Sequence, residues 1–292
     1  MTGVNEVVPE AATGAATGAA AAAALLHEHG HLRIKHCRHG LFIYNMLDRY
    51  VGRSLDRYGE FSESEIALFD QLLRPGCVAF DVGANIGAHT IWLAGKVGEK
   101  GRVVAFEPQR VIHQMLCANL ALNGCENVYA LWAAAGQTGG SARVPRLDYR
   151  AENNFGGIPL APANSTDETS EGVPAMRIDD VQVPRCDLIK IDVEGMEQEV
   201  VAGAERIIRK YRPMLYVEND RRDRAEALVG ALRSLDYRLF WHLPRLYNPE
   251  NFFGEGENVF GRIVSVNMLC VPSERPIQTA LREVQDADWR KG

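Results

Sequence analysis

The segment Cys77 to Pro108 constrains the fold of this chain more than any other, because it reads strand, glycine turn, helix, strand, acid. Cys77-Val-Ala-Phe-Asp81 follows Pro75-Gly76 as a short apolar run, the pattern of a strand covered on both faces in a parallel sheet. Gly83 and Gly87 allow a tight turn and a close approach of backbone to ligand, where a Cβ would obstruct. The apolar helix that follows presents its free N–H groups to whatever occupies that turn. Val103-Val-Ala-Phe then delivers Glu107 to the carboxyl end of the next strand, where open α/β sheets bind ribose hydroxyls.

Glycine spacing separates the two cofactor classes that use this geometry. A dinucleotide fingerprint, G-x-G-x-x-G, needs its second glycine so that the backbone can touch a pyrophosphate. Asn85 stands at that position, and the turn runs Asp-x-Gly-x-Asn-x-Gly with Asp81 ahead of it. A carboxylate there repels a pyrophosphate but can accept a hydrogen bond from an ammonium group. S-adenosylmethionine carries an ammonium and no phosphate. An NAD(P)-dependent oxidoreductase is the alternative enzyme, disfavoured by Asn85 and by the lack of a Tyr-x-x-x-Lys pair on a helix. A non-catalytic partner subunit built on a cofactor fold is the alternative of another class.

Three motifs in order, Phe80-Asp-Val-Gly-Ala-Asn-Ile-Gly-Ala-His-Thr90, Ala105-Phe-Glu-Pro108 and Leu188-Ile-Lys-Ile-Asp-Val-Glu-Gly-Met-Glu197, resemble the FkbM family of methyltransferases over roughly Leu72 to Val271. The resemblance implies the class I methyltransferase fold, S-adenosylmethionine as cofactor and methyl transfer, usually to oxygen. It does not name the acceptor.

Composition narrows the partners. The 292 residues are 46% hydrophobic and 24% charged, enough for one globular domain with appendages, and the net charge is −6. Without a basic run or a basic stripe interleaved with aromatics, nucleic acid is not the expected partner; a small-molecule acceptor is, with the oligomeric state open. Six cysteines lack C-x-x-C pairing and mostly sit in apolar runs, as expected of buried free thiols in a reducing cytoplasm. No run of about 20 apolar residues suggests a membrane span. Ala11 to Leu26 has acidic, not basic, flanks, so it reads as a disordered leader rather than a secretory signal. His27, His29, His31, His36 and His39 allow metal binding, but a polar strand leading into the fold is the expected reading.

Along the rest of the chain, Gly40 to Tyr58 reads as a lid beside the cofactor mouth. Ser62-x-x-Glu65 has capping-box spacing and opens a helix through Leu73. A helix over Val111 to Leu122 stops at Asn123-Gly124, and Val128 to Ala135 is the third strand. Residues 136–177 interrupt the α/β alternation as a long Gly- and Pro-containing excursion. Met176 to Val181 reads as a short strand and turn. Leu188 to Ile191 is the fourth strand, with a helix opening at Gly195. Pro213 to Val217 is the fifth strand, Ala225 to Leu235 a helix, and Tyr237 to His242 and Ile263 to Val271 the antiparallel edge. With the resemblance, the expected fold is α/β: a doubly wound, mostly parallel seven-stranded sheet with an N-terminal extension and two inserted loops. The expected segments are a leader 1–26, the extension and its helix 27–71, the methyltransferase domain 72–272, and a frayed or helical tail 273–292.

Ligands bind such sheets over the carboxyl ends of their strands. The expected cofactor residues are Asp81, Gly83, Asn85, Gly87, Glu107, Pro108 and Ala133, with Glu107 accepting from the ribose diol. Asp192 and Glu194 are the expected catalytic pair, and Glu218, His89 and His242 are further candidates for the base. Asn153, Asn154, Glu218 and His242 are expected to meet the acceptor. No metal is expected, because Glu194 and Asn219-Asp220 stand where helix starts would occupy them.

Overall fold

The computed structural model describes residues 25–161, 169–286 and 288. The expected leader, apart from Leu25 and Leu26, lies outside them. The chain begins with a three-stranded antiparallel sheet, β1 (Leu25–His29), β2 (Leu32–Cys37) and β3 (Gly40–Asn45), followed by helices α1 (Val51–Tyr58) and α2 (Glu63–Leu72). Alternation along β3 buries Phe42 and Tyr44 completely. The histidine-rich stretch lies along β1, β2 and their turns, and His39 sits 2.7 Å from Glu63. Ser62 precedes α2 with φ 55° and no side-chain cap bond, so the capping box is not formed. Glu65 instead points inward, where Asn267 Nδ2 donates to it at 2.9 Å.

The main domain then runs β4 (Val78–Val82), α3 (Ala88–Val97), β5 (Arg102–Phe106), α4 (Arg110–Leu122) and β6 (Val128–Leu131). The expected third strand divides at Trp132. Its second half, β7 (Ala134–Ala135), joins a separate sheet with β8 (Gly140–Pro145) and β9 (Ser170–Met176), in the order β7-β9-β8. Within the long excursion β8 and β9 pair antiparallel, and a short 3-10 helix, Ile178–Asp180, follows it. The alternation resumes with β10 (Leu188–Ile191), α5 (Glu197–Gly203), α6 (Glu205–Tyr211), β11 (Met214–Glu218), α7 (Arg222–Ser234), β12 (Tyr237–His242) and β13 (Asn267–Pro272).

Seven strands form one sheet in the order β12-β13-β11-β10-β4-β5-β6, parallel except for β13, as the sequence predicts. From β4 the chain winds outward through β5 and β6, then crosses back to β10 and β11. The carboxyl ends of β4 and β10 therefore flank the switch point where such sheets open a crevice. Side chains of β4, β5, β10 and β11 alternate between two apolar layers. Phe80, Val104, Ile189 and Val217 pack on one face, and Ala79, Val103, Leu188 and Tyr216 on the other. The tail departs from expectation: Trp241 N donates to Arg282 O and Val284 N to Leu239 O, so residues 282–284 lie extended along β12. That placement buries Val284.

Candidate active site

The turn after β4 is built on left-handed backbone, with φ 81° at Gly83, 51° at Asn85 and 92° at Gly87. A Cβ on Gly83 would stand 1.8 Å from the Asp192 carbonyl oxygen, so only glycine lets β4 and β10 close together there. Glu107, almost fully buried, accepts from Asn85 N at 3.0 Å and Gln109 N at 2.8 Å, one bond on each carboxylate oxygen. Each oxygen keeps a further lone pair for a ligand donor. Burial pushes the Glu107 carboxyl up to about 7 against the two backbone donors that lower it.

Across the crevice, Asp192, Glu194 and Glu218 bring one carboxylate oxygen each within 4.8 Å of one another. Glu194 (φ 57°) and Gly195 (φ 98°) turn the chain sharply, and α5 starts only at Glu197. Met196 precedes the helix without a side-chain cap bond, and Glu197, its first residue, reaches back to accept from Val193 N and Gly195 N. Glu194 accepts from Arg221 Nη2 at 2.7 Å, and Lys190 Nζ lies 3.3 Å from Asp192. Burial, then the Asp192 charge, raises the Glu194 carboxyl to about 7 although Arg221 opposes the rise. Burial with the charges of Asp192 and Glu194 holds Glu218 well above the carboxylate range. Asn219 and Asp220 do not cap α7: Arg221 precedes it without a side-chain cap bond, and Asn219 Nδ2 donates to Met268 Sδ. The helix-start reason for expecting no metal is therefore removed, and the three carboxylates could hold a divalent cation.

These groups line a cavity of about 370 Å³ whose walls include Gly83, Asn85, Glu107, Asn154, Asp192, Glu194 and Glu218. A smaller space of about 50 Å³ adjoins it and shares Gly83, Glu107, Gly156, Asp192 and Glu194. Phe106, Pro108, Ala133 and Ile158 give it apolar walls. The expected site residues thus meet in one crevice, with four exceptions. Asp81 is fully buried behind the turn, accepting from Thr90 Oγ1 at 2.6 Å and facing Lys190 Nζ at 3.4 Å, so it lines neither space. Gly87 starts α3 and faces Leu116. Asn153 is held by main-chain bonds to Leu47 and Arg49. His242 Nδ1 lies 2.7 Å from the Tyr216 hydroxyl, away from the crevice.

Sequence reasoning missed several lining residues. Lys190 is inside a strand motif and looks like an isolated polar residue, but the register places it beside Asp81, and its burial is offset by Asp192, Asp81 and Glu65, which raise its pKa. His89, one of the expected candidates for the base, does line the cavity; it is buried, with Nε2 3.2 Å from Glu65. Tyr50 belongs to the Gly40 to Tyr58 segment expected beside the cofactor mouth, whereas Phe61, Leu246, Ile263 and Val264 come from segments that carried no site signal.

The crevice fits S-adenosylmethionine. Its apolar slot suits a flat base, Glu107 can take a diol, and the larger space is lined by acids. Among its described lining residues, the permanent cations Lys190 and Arg221 are both engaged by carboxylates, leaving neither to meet a pyrophosphate.

Residues 81–239 match the family model described as the methyltransferase FkbM domain. A 217-residue region is 29% identical to the AMB antimetabolite synthetase AmbE of Pseudomonas aeruginosa, covering 60% of this chain and 10% of that protein. A 155-residue region is 30% identical to the methyltransferase sdnD of Sordaria araneosa, covering 43% of this chain and 59% of that one. The chain therefore spans a small part of the first relative and somewhat over half of the second. A solved methyltransferase FkbM from Methylobacillus flagellatus KT aligns at 20% identity and a TM-score of 0.45, over 70% of this chain and 50% of that one. The family model spans more than half of the sequence, and by it this chain belongs to the FkbM family of S-adenosylmethionine-dependent methyltransferases.

Proposed function

We propose that this enzyme methylates a hydroxyl on a small-molecule or sugar-containing acceptor, with Glu194 taking the hydroxyl proton and Asp192 orienting the acceptor. The observation that carries the reading is the convergence of Asp192, Glu194 and Glu218 on the crevice that also holds the glycine turn and Glu107. The cofactor, when bound, supplies an activated methyl group, so a new O–C bond forms as the C–S bond breaks with its electron pair going to sulfur. The chain's own work is then to align the acceptor and remove one proton. A carboxyl raised to about 7 in that crevice is matched to accept a proton near neutral pH.

In the same reading, Gly83 and Asn85 offer main chain to the cofactor, Glu107 holds its ribose, and Pro108 and Ala133 flank its base. Asp81 and Gly87 support that surface from behind. Asn154 and Glu218 meet the acceptor, while Asn153 and His242 hold the walls. Lys190 and Arg221 balance two of the three clustered carboxylates, and the raised Glu218 carries a proton. On this reading the cluster, its charge partly offset, works without a divalent metal. Four buried free cysteines favour a reducing, cytoplasmic setting, and among the described residues no helix is long and apolar enough to cross a membrane.

The test is methyl transfer from labelled cofactor to a panel of hydroxylated acceptors, followed across pH. Activity should rise as pH passes about 7, because Glu194 must lose its proton to act. Glu194→Gln should bind cofactor normally and lose at least about a hundredfold in rate. Cofactor binding with no turnover on any member of a broad panel would favour a non-catalytic partner role instead.

A further inference from the structure

The cavity is divided by chemistry. Its floor, at the carboxyl ends of β10 and β11, carries Asp192, Glu194, Glu218 and Asp220. Its lining also carries two apolar groups: Leu246, Ile263 and Val264 from the segment between β12 and β13, and Tyr50, Val51 and Phe61 from the N-terminal extension. Ile263 is 43% exposed and Val264 39%. Large aliphatic side chains grouped in the open at the mouth of a cavity mark a surface that a ligand covers.

This wall is built. Leu246 N donates to Ile263 O at 3.3 Å and Ser265 N to Pro244 O at 2.9 Å, so residues 244–246 and 263–265 form a two-stranded ribbon. The loop joining its strands is anchored to the N-terminal extension. Glu60 accepts from Asn248 Nδ2 and Phe252 N, both at 2.8 Å, and the Tyr58 hydroxyl donates to Glu257 O at 2.8 Å. Tyr50, from the same extension, stacks against Phe260 of that loop at 6.2 Å between ring centres.

We propose that the acceptor is an amphiphile without an anionic group: an apolar chain or ring system lies between Ile263, Val264 and Tyr50, and a neutral or cationic hydroxylated head reaches the carboxylates. The inference rests on the hydroxyl-methylation reading given above and adds the class of acceptor. A phosphate or carboxylate on the acceptor would enter an acidic floor whose two permanent cations already face carboxylates. A free sugar would leave the aliphatic wall in water.

The experiment measures, by calorimetry with the demethylated cofactor product bound, the affinity of methyl, butyl and hexyl β-D-glucosides and of hexyl β-D-glucuronide. Affinity should rise about two- to fourfold per methylene, hence at least about thirtyfold from methyl to hexyl. The glucuronide, which differs by one carboxylate, should bind at least about tenfold more weakly than the hexyl glucoside. In the Ile263→Ser/Val264→Ser double variant, the methyl-to-hexyl gain should fall below about fivefold while affinity for the cofactor product is unchanged. Affinity independent of chain length, chain dependence that survives in the double variant, equal binding of the glucuronide, or no binding of hexyl glucoside each overturns the proposal. Transfer of labelled methyl is scored separately on hexyl glucoside and hexylamine. Label on the amine alone refutes hydroxyl methylation and leaves the amphiphile inference standing; label on the glucoside without chain dependence overturns the inference alone.

Discussion

Replacing Glu107 by glutamine separates cofactor binding from folding. The carboxylate accepts backbone N–H groups from Asn85 and Gln109, and glutamine has one acceptor oxygen where two are required. One backbone N–H then faces an amide N–H, a loss on the order of 1–3 kcal/mol. Acting in the opposite sense, burial raises the Glu107 carboxyl from 4.5 to about 7. A raised pKa means that the folded state favours the protonated form, so its contribution to stability is present below the unfolded value and is lost as pH rises through about 7. At pH 8 most of that loss, roughly 3 kcal/mol, has been incurred, and a neutral amide avoids it. The two effects are similar in size, so Glu107→Gln should unfold in urea within about 1–2 kcal/mol of the parent at pH 8 and be clearly the less stable at pH 5. Cofactor affinity should nonetheless fall about tenfold to a hundredfold, because a ribose hydroxyl loses a charged acceptor worth roughly 1.5–3 kcal/mol. Calorimetric titration with S-adenosylmethionine reads the affinity. Unchanged affinity in the folded variant would refute the diol role of Glu107, and a destabilisation at pH 8 as large as that at pH 5 would refute the burial reasoning.

Three further outcomes follow from the site. Gly83→Ala forces a Cβ against the Asp192 carbonyl on left-handed backbone, and should abolish cofactor binding while lowering thermal stability; full binding by a folded variant would contradict the close approach of β4 and β10. Lys190→Met leaves Asp81 and Asp192 without their shared cation and should cost about 3–5 kcal/mol in denaturant unfolding, most of which Asp81→Asn should restore in the double variant; equal stability of the two variants would count against the pairing. Methyl transfer should survive exhaustive chelation, because Lys190 and Arg221 already face Asp192 and Glu194 and Glu218 carries a proton; loss of activity with rescue by magnesium would assign the cluster to a metal.

The sequence by itself determined the sheet, its antiparallel edge and the residues that line the half of the crevice proposed for the cofactor. Those features rest on short-range signals: apolar runs of strand length, glycines where the backbone must turn left-handed, and acids one or two residues past a strand end. Gly83, Asn85, Glu107, Asp192 and Glu194 could be read in that way. The direction of Asp81 could not, because the parallel register that sets it against Lys190 and turns it away from the crevice is a pairing between strands about a hundred residues apart. The capping box at Ser62 failed for a related reason: Glu65 points into the interior, where it accepts from Asn267 and lies beside His89, partners that a local capping pattern does not register. The helix start expected at Gly195 moved to Glu197 because Glu194 is held by Arg221, which local propensity does not register. Only the tertiary structure decided the half of the crevice proposed for the acceptor. Its walls come from the extension near Tyr50 and the ribbon near Ile263, two segments with no common pattern, brought face to face because the loop between β12 and β13 is tied to Tyr58 and Glu60. Such long-range main-chain and side-chain bonds leave no periodic trace in the chain, so an exposed isoleucine that lines a mouth reads there like any other.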